Sequence, residues 1–204
     1  MNQRALNQWT KARTPYSYLR SHILQKEEAD RYGLTLIDLV LVSNFKGGSA
    51  TIAEPPDCLE RKLQAYEDKL AEIGKEFDQK QLAQLNEQDL DKVIELASAF
   101  CKLARSHATK IDGFGPSFAT ALLNANFPDL LPILDKRGLS GADVQDVQTN
   151  SQGQVIGIES HYPDLIRYFH RRATTDSMTL EEVDKEIFGM ELKDQYRPRK
   201  KTKA

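Results

Sequence analysis

The chain has 204 residues, 40% hydrophobic and 28% charged, with a formal net charge of −2. That suffices for one well-buried domain or two small lobes sharing a core, and it leaves no whole-protein basic field for gripping nucleic acid. No apolar run approaches the roughly 20 residues of a membrane span, and the first residues lack the apolar core of a secretory signal, so a cytoplasmic protein without membrane contact is expected.

From the N-terminus, Tyr18, Leu19, Ile23 and Leu24 are spaced for one face of a helix over residues 16–31. Gly33 breaks it. Residues 35–45 are apolar around most of a helical circumference, which predicts a buried helix with Asp38 as the exception. Gly47-Gly48 ends that helix. A short extended piece is expected at 49–54, then a loop from Pro55-Pro56.

Leu59, Leu63, Tyr66, Leu70 and Ile73 recur at helical spacing and predict an amphipathic helix over 57–74. A short helix is expected at 79–86. A longer one is expected at 88–106, with Leu90, Val93, Ile94, Leu96, Ala97 and Phe100 inward. Residues 144–158 break the helical pattern: valines and isoleucines flank a polar Gly-containing turn, which predicts a small β-hairpin. Helix resumes over 162–173. Thr179-Leu180-Glu181-Glu182 reads as a capping box opening a last helix to about Met190. Residues 1–192 form the helical domain, and 193–204 are expected to be a basic, disordered tail.

The only cysteines are Cys58 and Cys101, and no Cys/His cluster has zinc spacing, so no metal or cofactor is expected. Cys101, between Phe100 and Leu103, reads as core packing. Trp9, Tyr16 and Tyr18 read as core packing or as the lining of a pocket. His22, His107, His161 and His170 form no constellation along the sequence.

The densest information lies at 111–135. Gly113-Phe114-Gly115, between two helices, is the pattern of a helix-hairpin-helix spanning about 98–126. Glycine permits the turn angles and a close approach of backbone to a surface. The second helix, at about 116–126, then presents free N–H groups and the positive end of its dipole, which suit a DNA phosphate. Pro128 and Pro132 bracket a connection that ends at Asp135.

Gly113-Phe114-Gly115-Pro116-Ser117-Phe118-Ala119-Thr120-Ala121, followed by Pro132-Ile133-Leu134-Asp135, resembles the helix-hairpin-helix (HhH-GPD) superfamily of DNA glycosylases. That group includes endonuclease III and the adenine DNA glycosylases. The resemblance is tight through the hairpin to Asp135 and looser over residues 34–135. It implies a mainly α fold of two lobes with a groove between them. The middle of the chain would build the hairpin lobe, and the N- and C-terminal helices the other. The 144–158 insert has no counterpart in that fold. The two cysteines cannot build the four-cysteine iron–sulfur cluster that several members carry.

The resemblance implies double-stranded DNA as partner and Asp135 as the catalytic carboxylate. Gly113, Phe114, Gly115 and Ser117, with Lys110, Lys136 and Arg137, would contact DNA. Asn44, Phe45 and Lys46, within 43–48, would form a wedge or base-sensing loop. Asp112 departs from the proline common in that turn. Ser117 stands where bifunctional members place a lysine, and it has no amine for a Schiff base. Lys110, Lys136 and Lys46 are surface cations by default.

Cleaving an N-glycosidic bond develops positive charge on the sugar, which a carboxylate can stabilise while it orients the attacking water. The base must first be flipped out of the duplex. Asp135 also reads as a helix N-cap, and the two roles are compatible. Residues 43–48 also read as a helix C-terminus, with a lysine on the dipole and a glycine stop. The leading expectation is a monofunctional DNA glycosylase, serving repair or defence against phage DNA with modified bases. A non-catalytic DNA-binding module and a protein–protein adaptor are the alternatives. The sequence names no protein partner.

Overall fold

The computed structural model describes residues 3–48, 51–190, 193 and 196. The basic stretch expected as a tail lies, apart from Lys193 and Tyr196, outside the described residues. The described chain is mainly α, with eight α-helices and no sheet.

α1 (Gln3–Leu24) starts well before the predicted boundary and runs through Pro15. A proline inside a helix costs about 3 kcal/mol. Burial of Trp9, Tyr16, Leu19 and Ile23 along one side offsets it. Tyr18 and Leu24, expected on that face, are instead exposed. The stripe runs 16, 19, 23 in steps of three and four, which turns positions 18 and 24 outward.

α2 (Leu36–Phe45) follows a tight turn. Asp38 is fully buried, and each of its oxygens has a donor. The Thr35 N–H donates to Oδ2 at 2.8 Å, and Lys26 Nζ donates to Oδ1 at 2.7 Å. A buried carboxylate is tolerated when paired in this way. The helix is less buried than its apolar composition predicts: Leu36, Ile37 and Val40 are exposed. α2 packs on α1 and, further along the chain, on residues 116–126, which leaves its remaining side open. Of the extended piece expected at 49–54, residues 49 and 50 lie outside the described residues, and 51–54 carry no regular structure.

α3 (Pro56–Phe77) buries all five residues that its spacing predicted. The helix expected at 79–86 is one 3-10 turn, Leu82–Gln84, pinned where the Leu82 N–H donates to Asp129 O at 2.9 Å. α4 (Glu87–Leu103) is capped by Asn86 and buries the predicted face. α5 (Pro116–Asn126) is buried at every position from Ala119 to Asn126. It touches α1, α2 and α4 and forms the centre of the fold.

α6 (Lys136–Gly141) is a short helix. The expected β-hairpin at 144–158 reduces to one bridge, Thr149 to Val155. Two backbone bonds cross there, Asn150 N–H to Gln154 O and Ile156 N–H to Gln148 O, both 2.9 Å, and the Asn150 side chain takes the N–H groups of Gln152 and Gln154 at 3.0 Å in the turn. Left-handed backbone at Asp146 and Gly157 ends the pairing on either side. α7 (Tyr162–Thr175) packs on α4. α8 (Leu180–Gly189) opens on the predicted Thr179–Glu182 box and packs on α1, α6 and α7. The first and last helices thus meet, and the buried apolar side chains, Trp9 apart, form one contiguous cluster.

Candidate functional site

Asp135 is held by its own chain. The segment before it is clamped by three side chains. Asn124 Nδ2 donates to Leu131 O at 2.7 Å, Tyr162 Oη donates to Pro132 O at 2.8 Å, and the Leu134 N–H donates to Thr120 Oγ1 at 3.0 Å. α5 supplies two of these and α7 the third. Leu131 and Leu134 are fully buried on either side of the clamps. Asp135 then caps α6, with its Oδ1 accepting the Gly138 N–H at 2.8 Å.

The other oxygen faces a different part of the sequence. Lys46 Nζ, at the C-terminal end of α2, donates to Asp135 Oδ2 at 3.2 Å. Lys46 is 15% exposed, whereas Asp135 keeps 39% of its side-chain surface open. Burial in the cleft acts to raise the Asp135 carboxyl. The Lys46 charge and the Gly138 and Arg137 N–H groups outweigh it and hold the carboxyl below its ordinary value. Asp135 is therefore an ionised carboxylate with free surface.

That surface opens into a cavity of about 740 Å³ between α1, the end of α2, the start of α6, and α8. The volume lies in the range of ligand pockets, roughly 300–1,000 Å³. One wall is an arc of aromatic and guanidinium faces. Phe45 packs on Tyr16 at 5.1 Å. The Arg13 guanidinium lies 5.3 Å from the Tyr16 ring and 5.8 Å from the Trp9 ring. Trp9 meets Phe188 edge to face at 5.4 Å, and Arg137 lies over Phe188 at 4.5 Å. Arg20, also lining the cavity, donates to Ala125 O. Such faces suit a planar ring. Burial pushes the Tyr16 phenol well above its ordinary value, and it donates to Asn124 Oδ1 at 2.5 Å.

The cavity also holds Asp184, on α8. Burial first, and the nearby Asp135 carboxylate second, push its carboxyl up to about 7, against the pull of Lys46 and Arg13. Of the carboxyls that line the cleft, Asp135 and Asp184 are thus driven apart, one low and one near neutrality.

The hairpin turn forms between α4 and α5. Gly113 has φ +83°, and a Cβ there would stand 2.8 Å from Thr51 O. Its glycine is required by the turn and by a close approach to the chain's own backbone. Phe114 is buried between Tyr66 and Phe118, so its side chain seats the turn in the core. The Asp112 N–H donates to Glu54 Oε1 at 3.2 Å, and Lys62 Nζ donates to the same oxygen at 2.6 Å. Gly115 has open space where a Cβ would go. Ser117 is half-buried, and Lys110 is exposed 3.9 Å from Asp112. None of residues 110–117 lines the cavity.

Of the residues singled out in the sequence, the cavity brings together Asp135, Arg137, Phe45 and Lys46. Asn44 is exposed, and Lys136 is half-buried outside the lining. Trp9 and Tyr16 line the cavity; Tyr18 does not. Arg13, Arg20, Asp184 and Phe188 carried no sequence signal, because α1 and α8 meet only through tertiary packing. Among the described residues, no three His, Cys, Asp or Glu side chains converge as a metal site, and no helix is long and apolar enough to cross a membrane. The chain matches no family model, no curated protein and no solved structure.

Proposed function

We propose that the protein is a monofunctional DNA N-glycosylase that flips a damaged or modified base out of duplex DNA and removes it with Asp135. The observation that carries this reading is an ionised, half-open carboxylate at the wall of an aromatic-lined cleft, paired with Lys46 from the end of α2. The base enters the cleft against the aromatic arc. Asp135 faces the sugar, stabilises the positive charge that develops at C1′, and orients the attacking water. Lys46 keeps Asp135 ionised at neutral pH. The hairpin holds the phosphate backbone through the α5 N-terminus beside Gly115 and Ser117. The same chemistry serves repair of damaged bases or defence against phage DNA with modified bases.

The test is base excision by the purified chain. Oligonucleotides with damaged or mismatched bases and genomic DNA from phages with modified and unmodified bases form the panel, read by strand cleavage after mild alkali. Alkali-dependent nicking that Asp135→Asn abolishes supports the reading. One observation favours a binding module instead: capping α6 and pairing with Lys46 account for Asp135 without catalysis. Salt-sensitive DNA retention with no nicking is the outcome expected of a module. Absence of both leaves an adaptor.

A further inference from the structure

Asp184 shares the cleft with Asp135 but differs in its surroundings. Among the described residues, no side chain hydrogen-bonds or ion-pairs with it. The charged groups around it are otherwise engaged. On its own helix, Glu181 is bound to Arg13 of α1 at 2.9 Å. From α2, Lys46 is bound to Asp135 at the start of α6. From α6, Arg137 donates to Phe188 O at 2.7 Å, and from α1, Arg20 donates to Ala125 O.

A base leaving a sugar carries away the bonding electron pair, and protonation eases its departure. Few groups in this cleft can supply the proton. No histidine lines it, Tyr16 spends its hydroxyl hydrogen on Asn124, Glu181 is ion-paired, and Asp129 stands exposed to solvent. Building on the glycosidic reading above, we propose that Asp184 is the general acid of this cleft and Asp135 its charge-stabilising carboxylate. The C1′–N bond breaks with its electrons passing to the base, and the Asp184 proton moves to a ring nitrogen, so the base leaves neutral. Water adds through oxygen at C1′. Its proton passes by way of Asp135 to solvent, from which Asp184 is reprotonated. The separation of the two carboxyls, Asp135 low and Asp184 near neutrality, matches this division of labour.

The experiment is single-turnover release of whichever base the wild-type chain removes best from the panel, followed across the neutral and mildly alkaline range. Wild type is expected to slow above pH about 7, where Asp184 loses its proton. Asp184→Asn is expected to slow release about 100-fold and to flatten that decline. Asp184→Glu, which keeps an acid, is expected to retain a declining limb. Thermal melting of each variant checks that the fold survives. Wild-type release with Asp184→Asn within threefold, or slowed but still declining with pH, overturns the assignment and leaves Asp135 in place. No release by wild type from any member of the panel overturns the glycosidic reading and the assignment with it.

Discussion

The hairpin and the cleft share one helix and are built in opposite ways. α5 starts at the hairpin turn and, half-way along and near its end, holds the segment that positions Asp135 through Thr120 and Asn124. The hairpin comes from neighbouring residues, and much of its bonding turns inward. Gly113 lies against Thr51, Phe114 fills the core, and the Asp112 N–H is taken by Glu54. The cleft comes from α1, α2, α6 and α8, and its charged groups face open volume. A motif visible in sequence can thus turn much of its bonding inward, while charged and aromatic groups collect in a cavity where distant segments meet.

The sharpest way to break this contrast is at Asp135. Asp135→Asn preserves an N-cap-competent side chain and is expected to lower base release about 1,000-fold with little change in melting temperature. Equal losses of activity and stability would make Asp135 a cap alone.

The hairpin is expected to respond in stability. Gly113→Ala forces a side chain into a left-handed conformation against Thr51 O, with an expected cost of about 2–3 kcal/mol in urea denaturation. Gly115→Ala, with open space and no positive φ, is expected to cost under about 1 kcal/mol. If the two cost the same, the turn is not seated as described.

Thr120→Val couples the regions. It leaves the buried Leu134 N–H without its acceptor, with an expected cost of about 1–3 kcal/mol and a smaller loss of base release than at Asp135. Lys46→Met tests the electrostatics. The Asp135 carboxyl lies below its unfolded value, so its contribution to stability is present above that value and fades as pH falls through the folded one. Removing Lys46 raises the folded value and moves the loss to higher pH. Because Lys46 also holds Asp184 down, both edges of the activity profile should shift upward. An unmoved acid edge would detach Lys46 from Asp135. The smallest effect is expected at Glu54→Gln. It removes a charge beside the turn and should tighten DNA retention slightly, with the gain shrinking as salt rises.

Helix placement was legible wherever spacing was strong. The five predicted residues of α3, the inward face of α4, and the Thr179 box all stand as read. The readings that changed did so for separate reasons. The start of α1 lies before Pro15 because buried aromatics on both sides outweigh the proline. The open side of α2 exists because apolar composition does not say how many neighbours a helix will have. The expected β-hairpin shrank to one bridge because the backbone turns left-handed on either side of it, at Asp146 and Gly157.

By itself, the sequence determined the helical class, the hairpin turn and the identity of Asp135 as a residue that ends an apolar run. These follow from periodicity, glycine geometry and local hydrogen bonding, all of which act within a few residues. Only the tertiary structure decided that Lys46 pairs with Asp135, that Asp184 shares its cleft, and that the Asp112 N–H in the hairpin turn is taken by Glu54. Those outcomes depend on which helix faces pack together. Packing is set by the summed burial of the whole core rather than by any neighbouring pair of residues.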